Sequence, residues 1–131
     1  MTTTILIISH NPTANALIQA AQAVLPHNLA KVIAHDIHLN DNLEKAAQIS
    51  STLPQHDILI LTDLLGSSPY NIAKQIQESL YQKQNCELVT GINLAMLLKV
   101  INYQQLGATE LAKKAVSGGT KSIIHQGDQN D

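Results

Sequence analysis

Thr4-Ile5-Leu6-Ile7-Ile8-Ser9-His10-Asn11 is an apolar, β-branched run that stops abruptly at a polar triplet with a histidine in its middle. A short continuous run of this kind reads as a strand buried on both faces, as in the interior of a parallel sheet. Asp57-Ile58-Leu59-Ile60-Leu61-Thr62-Asp63 repeats the pattern, ends at an aspartate, and is followed by Gly66-Ser67-Ser68-Pro69. Two parallel strands ending side by side would bring His10 and Asp63 together in one small polar pocket.

The other elements alternate around these two. Asn11-Pro12-Thr13 is a helix start, with proline tolerated in the first turn. Ala14, Leu17, Ile18, Ala21 and Val24 then fall at helical spacing until Pro26-His27-Asn28 breaks the pattern. Residues 30–37 give a second, less apolar strand suited to a place nearer a sheet edge. Asn40-Asp41-Asn42 caps a helix to about Ser51, with Leu43, Ala46, Ala47 and Ile49 inward, and Pro54 stops it. Pro69 opens a helix to about Lys83, with Ile72, Ala73, Ile76 and Leu80 on one face. Residues 86–90 form a fourth short strand ending at Gly91, and residues 93–103 and 106–116 are helical. Gly118-Gly119 reads as a turn, residues 120–125 as a short last strand, and residues 126–131 as a flexible polar tail.

Strands and helices alternating at this spacing imply right-handed βαβ units. The expected fold class is α/β: a single doubly wound, mostly parallel sheet of four strands with helices on both faces. A short C-terminal fifth strand is added, antiparallel and open to exchange with another copy. At 131 residues the chain reads as one domain, 1–131. Ligands of such sheets sit beyond the carboxyl ends of the strands, at the topological switch point. His10, Asp36, Asp63 and Gly91 all fall at such ends.

Composition narrows the function classes. With 44% hydrophobic residues, three Tyr and no Phe or Trp, the core must be aliphatic. The net charge is -2 and arginine is absent, which argues against a nucleic-acid surface. A phosphate would have to be held by backbone amides, hydroxyls or a partner's arginines, because no intramolecular guanidinium fork exists. A single cysteine, Cys86, leaves no intrachain disulfide and no multi-cysteine metal site. The N-terminus lacks a basic region ahead of its apolar run, and no run approaches the roughly 18 residues of a membrane span. The expected location is the cytoplasm.

His10 has three readings from the residues: a surface loop histidine, a metal ligand, or a nucleophile or general base. His27, His35, His38, His56 and His125 show no clean ligand spacing, and the strand-to-loop placement of His35 and His38 suits no preformed metal site. The nucleophile reading needs a carboxylate on one ring nitrogen to set the tautomer. Asp63 is the natural candidate, although an Asx turn or helix cap is its more ordinary role. Gly66-Ser67-Ser68-Pro69 leads into a helix N-terminus, an ordinary loop with Ser68 as N-cap and Pro69 at the first helical position, an anion site through free N–H groups, or both at once. Gly-x-x-x-x-Gly-Lys, Gly-x-Gly-x-x-Gly and Gly-x-Ser-x-Gly are all absent, which weakens nucleotide-triphosphate, dinucleotide and hydrolase readings.

Ser9-His10, then Thr62-Asp63-Leu64-Leu65-Gly66-Ser67-Ser68-Pro69-Tyr70-Asn71, then Gly91-Ile92-Asn93-Leu94-Ala95-Met96-Leu97 together resemble the mannose-family IIA component of the bacterial phosphoenolpyruvate-dependent sugar phosphotransferase system. The likeness runs in order through nearly the whole chain. Three places depart from it: Ser67 replaces a second glycine, Ala95 a common proline, and Leu39-Asn40-Asp41 lacks the usual Pro-Gly. The resemblance implies that His10 accepts a phosphoryl group, that Asp63 orients it, and that Ser68 with the amides of Gly66, Ser67 and Ser68 steadies the phosphate. It further implies an HPr-type phosphocarrier as donor, a IIB component as acceptor, and no cofactor or metal. A cytoplasmic homodimer whose last strand crosses to the partner's sheet is implied as well, with at most peripheral membrane association through the permease. A regulatory IIA module of an incomplete phosphotransfer chain, read by a protein target, is the alternative. The IIA domain that serves dihydroxyacetone kinase and a non-enzymatic flavodoxin-like binding domain stand further off.

Overall fold

The computed structural model describes residues 2–27, 29 and 31–127. In chain order the elements are β1 (Thr4–His10), α1 (Thr13–Val24), β2 (Val32–Ile37), α2 (Glu44–Ser50), β3 (Ile58–Thr62), α3 (Ser68–Leu80), β4 (Cys86–Val89), α4 (Leu94–Asn102) and α5 (Ala108–Lys121). The four strands are parallel in the order β2-β1-β3-β4. The two continuous apolar runs therefore take the two central places.

Each central strand divides its side chains between two cores, as the strand period of two requires. Ile5, Ile7, Leu59 and Leu61 face one layer with Ala14, Ala21, Leu97, Val100 and Leu111 of α1, α4 and α5. Leu6, Ile8, Ile58 and Ile60 face the other, with Ile49, Ile72, Ala73 and Ile76 of α2 and α3. All eight strand residues are fully buried. At about 1.5–3 kcal/mol for each large aliphatic side chain taken from water, they are the main reason the sheet holds. The less apolar β2 lies at an edge and is only half-buried.

Two helices are capped by aspartates distant in sequence, Asp36 on β2 and Asp57 just before β3. Pro12 at the N-cap of α1 offers no side-chain acceptor. Asp36 of β2 supplies one, taking hydrogen bonds from the Ala14 amide at 2.8 Å and from Asn15 Nδ2 at 2.7 Å. Gly107 at the N-cap of α5 likewise has none, and the Ala108 amide donates to Asp57 Oδ2 at 2.9 Å. Two helix starts are served locally: Asn93 Oδ1 accepts from the Met96 amide of α4 at 2.8 Å, and Asn42 Oδ1 accepts from the Glu44 amide of α2 at 2.9 Å.

The C-terminal part departs from expectation. Gly118 and Gly119 are no turn but lie inside α5, which runs on to Lys121. Their missing Cβ atoms let α5 lie against α4: a Cβ on Gly118 would stand 2.8 Å from Lys99 Cβ, and one on Gly119 would stand 3.3 Å from Met96 Cβ. Close helix packing thus outweighs the turn tendency of a glycine pair. The helix takes Thr120 and Lys121 from the expected fifth strand, and among the described residues no strand pairs with residues 122–127. Ile123 and Ile124 are left exposed. Of the expected tail, Gln126 and Gly127 form an exposed turn and residues 128–131 lie outside the described residues. Leu43 and Ala47, expected inward, are also exposed, as is Val24 at the end of α1.

Candidate functional site

The strand order changes direction between β1 and β3: β2 lies on one side of β1, and β3 and β4 on the other. Crevices at such a point, beyond the strand carboxyl ends, are where sheets of this class hold ligands. The last paired residues of the two strands are Ile8 and Thr62, so His10 and Asp63 leave the sheet at its switch point, side by side.

Asp63 Oδ2 accepts from the His10 ring Nδ1 at 2.9 Å and from the His10 backbone amide at 3.0 Å. Oδ1 accepts from the Leu64 amide at 2.9 Å. An ionised carboxylate only accepts, so the Nδ1 proton lies between the two side chains and Nε2 is the ring nitrogen left over. The imidazole is about half exposed and the carboxylate much less, at 49% and 20% of their side-chain surfaces. Partial burial pushes the Asp63 carboxyl up, but the hydrogen bonds from the His10 ring and amide, the charge of His10 and the Leu64 amide outweigh it. The carboxyl lies below its usual value and stays ionised.

The loop after β3 is tied back on itself. Both Ser67 donors point to the Leu64 carbonyl, the hydroxyl at 2.7 Å and the amide at 3.2 Å. Gly66 sits at φ +84°, where a side chain would be strained. The N-cap of α3 is Ser67 rather than Ser68; Ser68 opens the helix and Pro69 lies in its first turn. The first α3 amide paired to the loop is that of Asn71, to the Ser67 carbonyl at 2.9 Å. The preceding amides of Ser68 and Tyr70 belong to the helix start, where backbone donors are free for a ligand. Ser68 is exposed and Ser67 half-buried.

His10, Asn11, Ile37, His38, Leu39, Ser68 and Pro69 line one open cleft of about 430 Å³. Of the expected residues, the structure brings His10, Asp63 and Ser68 to this place and commits Ser67 to the loop. Asp36 and Gly91, also at strand carboxyl ends, do structural work. Asp36 caps α1, while Gly91, at φ +77°, turns the chain out of β4 and donates to the Asp63 carbonyl at 3.1 Å. Asn11, His38 and Leu39 were not expected in the cleft. His38 was legible in principle, because it follows β2 as directly as Asn11 follows β1. His35 lies half-buried on β2, where burial and then Lys45 lower its pKa. Among the described residues no three His, Cys, Asp or Glu side chains are grouped to hold a metal ion, and no helix is long and apolar enough to cross a membrane.

Residues 4–116 match the family described as EIIA-man, PTS system fructose IIA component. The PTS system fructose-specific EIIA component of Bacillus subtilis (strain 168) is 30% identical over 87 residues, covering 66% of this chain and 55% of that protein. The chain thus spans about half the length of this curated relative. The phosphotransferase system component EIIA from Streptococcus agalactiae superposes with a TM-score of 0.84 at 20% identity, over 95% of this chain and 97% of that one. The mannose/sorbose specific IIA subunit from Enterococcus faecalis gives 0.83 at 23% identity, over 95% of each chain. At these identities the two structures establish a shared fold.

Proposed function

Because the chain belongs to the EIIA-man family of phosphotransferase-system IIA components, we propose that it carries a phosphoryl group on His10 between two protein partners. The donor is an HPr-type phosphocarrier and the acceptor a IIB component. The observation that carries this reading is the 2.9 Å contact of His10 Nδ1 with Asp63, which leaves Nε2 of a half-exposed ring as the nucleophile.

In the forward step the Nε2 lone pair attacks the donor's phosphorus. The new Nε2–P bond forms as the donor's N–P bond breaks, and that electron pair returns to the donor nitrogen. The Nδ1 proton stays against Asp63, whose negative charge offsets the positive ring. Passing the group on reverses these movements, with the acceptor as the new nucleophile. Positioning and electrostatics supply most of the rate, as is usual in phosphoryl transfer. Ser68, at the start of α3, offers its hydroxyl and amide to the phosphoryl oxygens, with Gly66 shaping the loop that leads there. Ser67 contributes by holding that loop.

Exposed Leu39, Leu64 and Leu65 lie on the loops that carry the site, a surface suited to a protein rather than to a free sugar. The same reading places the chain in the cytoplasm, working as a homodimer. Its support is the outer edge of β4, to which no strand of the described residues pairs, together with Ile123 and Ile124 exposed beyond α5.

Incubation with phosphoenolpyruvate, the purified HPr-type phosphocarrier and the carrier protein that charges it from phosphoenolpyruvate, followed by mass spectrometry of the modified peptide, tests the assignment. Acid-labile phosphate on His10, lost in His10→Ala, is expected. Labelling that persists in His10→Ala would defeat it.

A further inference from the structure

We propose that His38, in its protonated form, is the cation that faces the phosphoryl group carried on His10. The inference rests on the phosphocarrier reading and adds a residue to it. The β1–β2 register sets His10 beside Ile37, and the Asn11 amide donates to the Ile37 carbonyl at 3.0 Å. His38 is the next residue, and it lines the same cleft as His10 and Ser68.

The main chain there is pinned in both directions. The His38 amide donates to Asp41 Oδ2 at 2.8 Å, and the Asp41 amide donates to the His38 carbonyl at 2.9 Å. An exposed imidazole thus stands on a held backbone. This turn includes Leu39-Asn40-Asp41, where the sequence departs from the family's Pro-Gly.

The charge around the cleft makes the case. An arriving phosphoryl group adds close to two negative charges near neutral pH. The carboxylates bonded to the two histidines, Asp63 on the His10 ring and Asp41 on the His38 amide, add negative charge to its surroundings. From α3 come only the neutral Ser68 and Pro69, and Asp36 at the end of β2 is taken up by the start of α1. The chain has no arginine, and among the described residues no lysine lines the cleft. Among the described residues, His38 is, apart from His10 itself, the one lining side chain of a type that can carry a positive charge.

The test compares the whole wild-type protein with His38→Gln and His38→Lys. In carrier-driven labelling, His38→Gln should be about five- to tenfold slower at pH 6 and equal to wild type at pH 8.5, the worth of one partly exposed charge-assisted contact. His38→Lys should restore the rate and remove the pH dependence. Identical pH–rate profiles in wild type and His38→Gln would overturn the proposal. If the carriers label no residue, the phosphocarrier reading fails, and inorganic phosphate followed by histidine NMR still judges His38. Phosphate should then move both the His10 and His38 ring signals, more at pH 6 than at pH 8.5, whereas an unmoved His38 ring would overturn the proposal.

Discussion

One carboxylate oxygen of Asp63 holds His10 at two points, the backbone amide at 3.0 Å and the ring Nδ1 at 2.9 Å. The grip on the amide sets where the strand end lies, and the grip on the ring sets its tautomer and direction. Both come from the residue directly after the neighbouring strand β3, so the orientation of the imidazole is set by the sheet.

Asp63→Asn should fold and transfer slowly. An amide oxygen can still accept, but it provides no charge against a cationic ring, and a loss of about 10² in labelling rate or more is expected. Rapid-quench measurement of phosphoryl uptake checks it. Stability should respond to pH as well. The folded carboxyl lies below its ordinary value. Its contribution is therefore complete above about pH 4 and disappears as pH falls through the folded value. Acid unfolding followed by circular dichroism should show this component in wild type and lack it in Asp63→Asn.

Asp36→Ala should weaken the start of α1 without touching the chemistry. Two donors, the Ala14 amide and Asn15 Nδ2, lose their acceptor. The expected cost is about 1–2 kcal/mol in urea unfolding, with labelling of the folded protein unchanged.

The two glycines of α5 should differ. A Cβ on Gly118 meets Lys99 Cβ at 2.8 Å, an atom fixed to the α4 backbone, whereas the nearest atom to one on Gly119 is the movable Met96 Cε at 2.8 Å. Alanine gains about 1 kcal/mol in helix propensity at either place. For Gly118→Ala the overpacking penalty wins, and a net loss of about 1–2 kcal/mol is expected. Gly119→Ala should remain within about 1 kcal/mol of wild type. Denaturant midpoints of the two variants test the ranking.

Cys86 should be inert in the native protein. Burial, with the neighbouring Glu87 adding to it, pushes its thiol up to about 12. Alkylation by iodoacetamide at pH 8 should be at least about 100-fold slower than in urea, because the thiolate is the reactive form. The thiol favours folding fully below its ordinary value near 9, and that contribution is lost as pH rises toward 12. Alkaline unfolding of Cys86→Ala should therefore begin at higher pH than that of wild type.

The sheet was legible because its signal is collective: eight aliphatic side chains in two unbroken runs have no stable place except the centre of a parallel sheet. The meeting of His10 and Asp63 followed from the same runs, since both side chains lie at the ends of neighbouring strands. The glycine pair was misread because its role is set by α4, which no local window includes. Asp36 and Ser67 carried residue types that suit a site, yet their oxygens serve a helix start and a loop. His38 entered the cleft through strand register, which becomes visible only once pairing partners are known.

His10 and Asp63 are 53 positions apart in the chain. A growing polypeptide released from the ribosome before residue 63 emerges can contain the histidine but not its counterpart. Until β3 slots in beside β1, that imidazole is an ordinary side chain on a nascent strand. The pair therefore forms in a single event, the pairing of β3 with β1, and a fragment truncated ahead of β3 holds the imidazole without its carboxylate.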